Sequence, residues 1–148
     1  MIEQEAAQRL IVCAALLKRT WRLFPRAESE LTEERFQCLR RLSAHTGVTL
    51  SDLSDEIAIS PSSLCIMLKK LEEEGLVERE RELRDRRKVC YRITSLGVSS
   101  VNGEQQRRLD FLARVLQKTV PEEERQRLIP VLDELESVLR QITAPGDR

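Results

Sequence analysis

The sequence predicts a mainly α-helical chain with one small β-hairpin, and three observations predict it. Apolar residues recur at helical spacing along most of the 148 residues. The period changes from 3.6 to 2 only around residues 76–93, and arginines crowd into that same stretch. With 41% hydrophobic residues the chain has enough apolar material for one core, so residues 1–148 are expected to form a single domain.

In the N-terminal helix Leu10, Cys13, Ala14, Leu17, Trp21 and Phe24 share one stripe, yet the run LIVCAALL from Leu10 to Leu17 is apolar around its whole circumference. Such a helix needs cover on more than one side. It is too short for a bilayer, which takes about 20 apolar residues, and it lacks the basic start and small-residue cleavage site of a signal peptide. Pro25 to Glu30 reads as a linker, and Ala144 to Arg148 as a fraying tail.

The central core is expected over residues 31–97. Leu50, Leu53 and Ile57 make a short amphipathic helix after Val48 and Thr49, and Ala58 and Ile59 leave only a tight turn before the next helix. That second helix has its limits written in: Ser60 caps the first amides, Pro61 fits the first helical position, and Gly75 sits where a left-handed C-terminal residue belongs. Leu64, Met67, Leu68 and Leu71 form its buried face, leaving Ser62, Ser63, Cys65, Ile66, Lys69 and Lys70 outside.

After Gly75, Leu76 to Glu82 suits a strand, and Val89, Tyr91 and Ile93 alternate with Lys88, Cys90 and Arg92 as a second, with Leu83 to Arg87 near the tip. From Arg79 to Arg92 seven basic residues stand against three acidic ones, a surplus of four in a chain whose 25 basic and 25 acidic residues cancel as a whole. Positive charge gathered on one protruding element suits a polyanion, whereas an arginine-rich hairpin taken alone is equally a solvated, self-paired one. The short helix, capped second helix and basic hairpin together make a helix-turn-helix followed by a wing.

Beyond the wing, Val98, Val101, Leu109, Leu112 and Leu116 trace a long helix with Gly103 as a weak point. A last helix starts near Pro121 and carries Leu128, Val131, Leu132, Leu135, Val138, Leu139 and Ile142 at helical spacing, with Pro130 expected to kink or restart it. Residues 1–24 and 98–143, with their surplus apolar surface, are expected to form a shared helical dimer interface.

Cys13, Cys38, Cys65 and Cys90 are widely spaced with no CxxC pair, and His45 is the only histidine, so no metal site is expected and a reduced, cytoplasmic setting fits. Cys13 falls on the apolar stripe, where a thiol serves as a small buried hydrophobe. With one histidine, no Gly-rich phosphate loop and no nucleophile elbow, neither catalytic residues nor a cofactor is expected. Acid groups such as Glu33 with Glu34, or Glu72 to Glu74, read as solvated helix faces, and Asp85 as a brace for Arg84 or Arg87.

At this point the chain resembles the MarR family of winged-helix transcription regulators along nearly its full length. The family's wing pattern, D-x-R-D-x-R then a short strand and L-T-x-x-G, lines up with Glu82, Arg84, Asp85, Arg87, Ile93, Thr94 and Gly97 without a gap. The recognition-helix pattern lines up with Ser60, Ser62, Ser63, Leu64, Cys65, Ile66, Met67, Leu68, Leu71, Glu72, Gly75, Leu76 and Val77. Cys65 and Ile66 replace a polar residue and an arginine, Glu82 replaces an aspartate, and Arg86 replaces a glycine.

The resemblance implies a homodimeric, cytoplasmic regulator of double-stranded DNA, a repressor released by a small-molecule effector. Ser62, Ser63, Ile66, Lys69 and Lys70 would face the major groove, Ser60 would cap the helix, and Arg84, Arg86, Arg87 and Lys88 would reach phosphates or the adjacent minor groove. Two alternatives stay open. One is a protein-interaction module that kept the fold and lost specific DNA reading, motivated by Cys65 and Ile66. The other is a thiol-based redox sensor, because peroxide-responsive members carry a cysteine in the first helix, where Cys13 lies.

Overall fold

A computed structural model describes residues 1–81, 84–85 and 88–144. The elements run α1 (Ile2–Arg22), a 3-10 turn (Arg26–Glu28), α2 (Glu33–Ala44), β1 (Val48–Thr49), α3 (Leu50–Ile57), α4 (Pro61–Glu73), β2 (Val77–Arg81), β3 (Val89–Ile93), α5 (Ser95–Thr119) and α6 (Glu122–Thr143). The fold is the mainly α winged helix that the sequence pattern predicts. It divides into two compact units, Met1–Arg108 and the segment from Leu109 onward.

In the first unit, Cys38, Leu39, Leu53, Leu64, Leu68, Leu71 and Val77 are almost wholly excluded from solvent, so α2, α3, α4 and β2 share one core. Leu31, Phe36, Leu42, Val48, Leu76 and Val101 complete it, with Met67, Tyr91 and Ile93 packed at its margin. The sheet has three strands in the order β1-β3-β2, all antiparallel. The short β1 pairs Val48 with Tyr91 and Thr49 with Cys90, a partnership that the hairpin reading did not include.

Two details depart from expectation. Helix α1 buries none of its residues within the chain, and Cys13 is exposed rather than a buried hydrophobe. Its apolar stripe meets no core here, which is the physical reason. Helix α5 includes Gly103, and α6 runs through Pro130 from Glu122 to Thr143 without restarting. The acid groups are more than solvated faces: Glu74 pairs with Arg35 across α4 and α2, and Glu33 lies 2.8 Å from Arg108.

A charged cluster organises the start of α2. Glu104 is wholly buried and accepts from the Ser29 hydroxyl at 2.6 Å, from Arg107 at 2.9 Å and from Arg108 at 3.3 Å. The Glu30 amide donates to it as well, at 3.3 Å. Burial by itself would raise the Glu104 pKa, but these donors outweigh it and hold the carboxyl below its ordinary value. Arg108 also stacks over the Phe36 ring, its guanidinium carbon 3.9 Å from the centroid.

In the second unit α6 buries no residue fully, and Ile129, Val131, Leu132, Val138, Leu139 and Ile142 are all exposed.

Candidate nucleic-acid interface

The turn between α3 and α4 is locally determined. Thr49 and Asp52 form a reciprocal capping box at the start of α3, with hydrogen bonds of 3.2 and 3.1 Å, and hydrogen bonding of the Asp52 carboxylate to the Thr49 side chain and amide lowers the Asp52 pKa. Ala58 ends the helix in the left-handed region at φ 57°, and the Ser54 hydroxyl donates to the Ile59 carbonyl at 2.8 Å. Ser60 then accepts from the Ser63 amide at 3.3 Å and donates its own proton to the Ser63 hydroxyl oxygen at 2.9 Å. Its side chain therefore serves the helix end.

The far end of α4 closes in a Schellman arrangement, with the Leu76 amide on the Leu71 carbonyl and the Gly75 amide on the Glu72 carbonyl, both at 2.9 Å. Gly75 takes φ +74°, which an L side chain would resist. Between these ends Leu64, Leu68 and Leu71 face the core, while Ser62, Ser63, Cys65, Ile66, Lys69 and Lys70 are exposed. Ile66 is 62% exposed, a large apolar side chain in the middle of a polar face.

The wing is fastened to this helix at Thr94. Its amide donates to the Leu76 carbonyl at 3.1 Å, its hydroxyl donates to the Gly75 carbonyl at 2.6 Å, and the same hydroxyl oxygen accepts from the Gly97 amide at 3.1 Å. A Cβ at Gly97 would overlap the Leu76 carbonyl oxygen, so α5 can start this close to β2 only with glycine there. Recognition-helix end, hairpin base and α5 start are thus one knot.

Hairpin register sorts the wing by face. Val77, Arg79 and Arg81 pair with Ile93, Tyr91 and Val89, while Glu78 and Glu80 share the other face with Arg92 and Cys90. There Glu80 and Arg92 form an ion pair at 2.7 Å. Arg84 and Lys88 are exposed near the tip, whereas Arg86, Arg87 and Glu82 lie outside the described residues.

A shallow cleft of about 290 Å³ opens between α4 and the hairpin, lined by Cys65, Lys69, Glu72, Arg79 and Tyr91. Arg79 and Tyr91 were not among the predicted interface residues. Strand parity was the available signal, because Arg79 sits two residues from the buried Val77 and directly opposite Tyr91. Burial first, then the neighbouring Cys65 and Glu72, push the Tyr91 phenol above its ordinary pKa despite Arg79. It remains an O–H donor at neutral pH.

Among the described residues no group of three or more His, Cys, Asp and Glu could hold a metal ion, and no helix is long and apolar enough to cross a membrane.

Residues 31–89 match the sequence model of the MarR family. Two Bacillus subtilis proteins are similar, both described as uncharacterized HTH-type transcriptional regulators. YdgJ is 28% identical over 77% of this chain and 69% of its own length, and YwhA is 29% identical over 59% and 63%. Among solved structures, YusO of Bacillus subtilis has a TM-score of 0.69 at 20% identity, covering 93% of this chain and 98% of its own. A mutant of MarR from E. coli has a TM-score of 0.69 at 21% identity over 82% and 94%. A mutant of S. aureus MepR bound to an oligodeoxyribonucleotide has a TM-score of 0.61 at 21% identity over 85% and 96%. The segment that carries the helix-turn-helix is thus similar to the MarR family in sequence, and the winged-helix fold is shared with these solved structures along most of the chain.

Proposed function

We propose that the protein is a homodimeric transcription regulator that binds double-stranded DNA through α4 and the wing. The observation that carries this reading is the outward face of α4, where Ser62, Ser63, Ile66, Lys69 and Lys70 lie exposed on a helix capped at both ends and tied to a basic hairpin. Two hydroxyls and two ammonium groups can meet base edges and phosphates, and Ile66 can pack on a thymine methyl. Arg84, Arg86, Arg87 and Lys88 of the wing would supply phosphate neutralisation and reach the adjacent minor groove. The function is carried out in the cytoplasm, by repression that a small-molecule effector relieves.

Dimerisation is supported by the apolar side chains on the terminal helices. Ile11, Val12, Leu16, Leu17 and Trp21 of α1 are exposed, as are Val131, Leu132, Val138 and Leu139 of α6. A second copy of the chain would bury them, and it would place two reading helices about one helical turn of DNA apart, roughly 10 base pairs.

Selection of bound sequences from a random duplex library tests the reading. A recovered motif with two related half-sites is the expected result, with Ser63→Ala or Lys69→Ala changing the preferred half-site by about 1 to 3 kcal/mol of discrimination. The exposed Ile66 favours one rival, a protein-interaction module on the same fold. Absence of any enriched motif, with no retention on duplex at low salt, would transfer the face to that role.

A further inference from the structure

We infer that the cleft between α4 and the wing is a seat for one backbone phosphate of the bound duplex, with Arg79 and the Tyr91 hydroxyl as its donors. The inference rests on the proposed DNA-binding function and extends it to residues that lie neither on the outward face of the helix nor at the hairpin tip.

The argument is geometric. A helix in the major groove and a hairpin in the neighbouring minor groove stand on opposite sides of one sugar-phosphate strand, because that strand is what separates the two grooves. It must therefore cross the space between α4 and the hairpin, which here is the cleft lined by Cys65, Lys69, Glu72, Arg79 and Tyr91. Cys65, Lys69 and Glu72 follow one another at i, i+4 and i+7 along α4, so they form its wing-side edge. Arg79 and Tyr91 are direct partners across the hairpin on the face that carries Val77. Arg79 has no ion pair among the described residues, whereas Arg92 on the opposite face is held by Glu80. Of the arginines on the hairpin strands, Arg92 is thus neutralised by Glu80, while Arg79 lines the cleft.

Glu72 gives the site a sign. Its carboxylate lines the same cleft as the cationic groups and opposes an anion there. Removing it should tighten binding, an effect that a merely structural role would not produce.

The test uses the full-length protein and a fluorescent mixed-sequence duplex, measured by anisotropy over a KCl series. Arg79→Gln should weaken binding and make the log-log salt slope shallower by about 0.9 per seated chain, the value for one lost phosphate contact. Tyr91→Phe should weaken binding with the slope unchanged, because it removes a neutral donor. Glu72→Gln should strengthen it. In the wild-type protein, alkylation of Cys65 by iodoacetamide should slow once the duplex is bound, a readout that needs no variant to fold. If the wild type binds duplex but Arg79→Gln, Tyr91→Phe and Glu72→Gln match it and Cys65 reacts equally fast with DNA present, the phosphate seat is overturned. If the wild type binds no duplex at low salt, the DNA-binding reading itself falls, and the two failures are distinct.

Discussion

Replacing Glu104 with glutamine should cost more stability than any single surface substitution in this protein. The carboxylate is wholly buried, and its two arginine partners sit at 2.9 and 3.3 Å. Losing one member of a buried ionic cluster costs about 3 to 5 kcal/mol when the remaining charge is left alone. Here neither arginine is abandoned, since Arg107 keeps Glu30 at 3.6 Å and Arg108 keeps Glu33 at 2.8 Å, and the amide can still accept one bond. The expected loss is therefore about 2 to 3 kcal/mol, within the range for one or two charge-assisted hydrogen bonds. For a chain of this size that lowers Tm by roughly 4 to 12 °C, read by calorimetry at fixed protein concentration because assembly also moves Tm. The pH dependence has a definite sign. Since folding depresses the Glu104 pKa, its contribution is fully present above the ordinary carboxylate value of 4.5 and is lost as pH falls through the folded value. The gap between wild type and Glu104→Gln should then be constant near neutrality and close in acid. A loss below about 0.5 kcal/mol, or a gap that persists unchanged in acid, would refute the view that ionised Glu104 holds residues 29–33 to α5.

Other substitutions probe different parts of the molecule. Charged residues at Leu135 and Leu139 together should yield monomers or unfolded chain, and a well-folded wild-type monomer in sedimentation at micromolar concentration would end the dimer proposal. Iodoacetamide should label the exposed Cys65 in the native protein, while Cys38, wholly buried and with its thiol pushed up to about 12, should react only on unfolding, as peptide mapping would read. Ala58→Gly should stabilise by about 0.5 to 1 kcal/mol in urea titrations, because the left-handed backbone at φ 57° no longer strains against a Cβ. Gly97→Ala should destabilise by at least about 1 kcal/mol, since the new methyl meets the Leu76 carbonyl oxygen and backbone must move.

What was legible in the sequence is what short-range chemistry decides. Ser60, Pro61 and Gly75 delimit α4 through bonds spanning three to five residues, and the Val89, Tyr91, Ile93 alternation marks its strand without knowledge of any partner. The missed features depend on distant partners. Strand β1 is two residues long and exists because Tyr91 and Cys90, more than forty positions away, are there to pair with it. Glu104 looks like one more acid on a helix until Ser29 and Glu30 arrive from 75 and 74 positions earlier. Gly103, a weak point in the helix pattern, lies within α5, since one glycine costs only about 1 kcal/mol and a 25-residue helix can absorb it. At the interface, the α4 face was readable from helical period alone, whereas Arg79 entered only once the hairpin register assigned it to the side of Tyr91.

The same register governs how molecules of this protein behave toward one another. With β3 in the centre, the outer edge of β2 offers five residues of open backbone, VERER, to any strand that approaches. In a symmetric antiparallel pairing each residue lies opposite one of its own parity. Arg79 and Arg81 of one copy would then meet Arg79 and Arg81 of the other on one face, and Glu78 and Glu80 would meet their counterparts on the other. Like charges would then repel on both faces at once, which disfavours joining the hairpins of different copies into a continuous sheet.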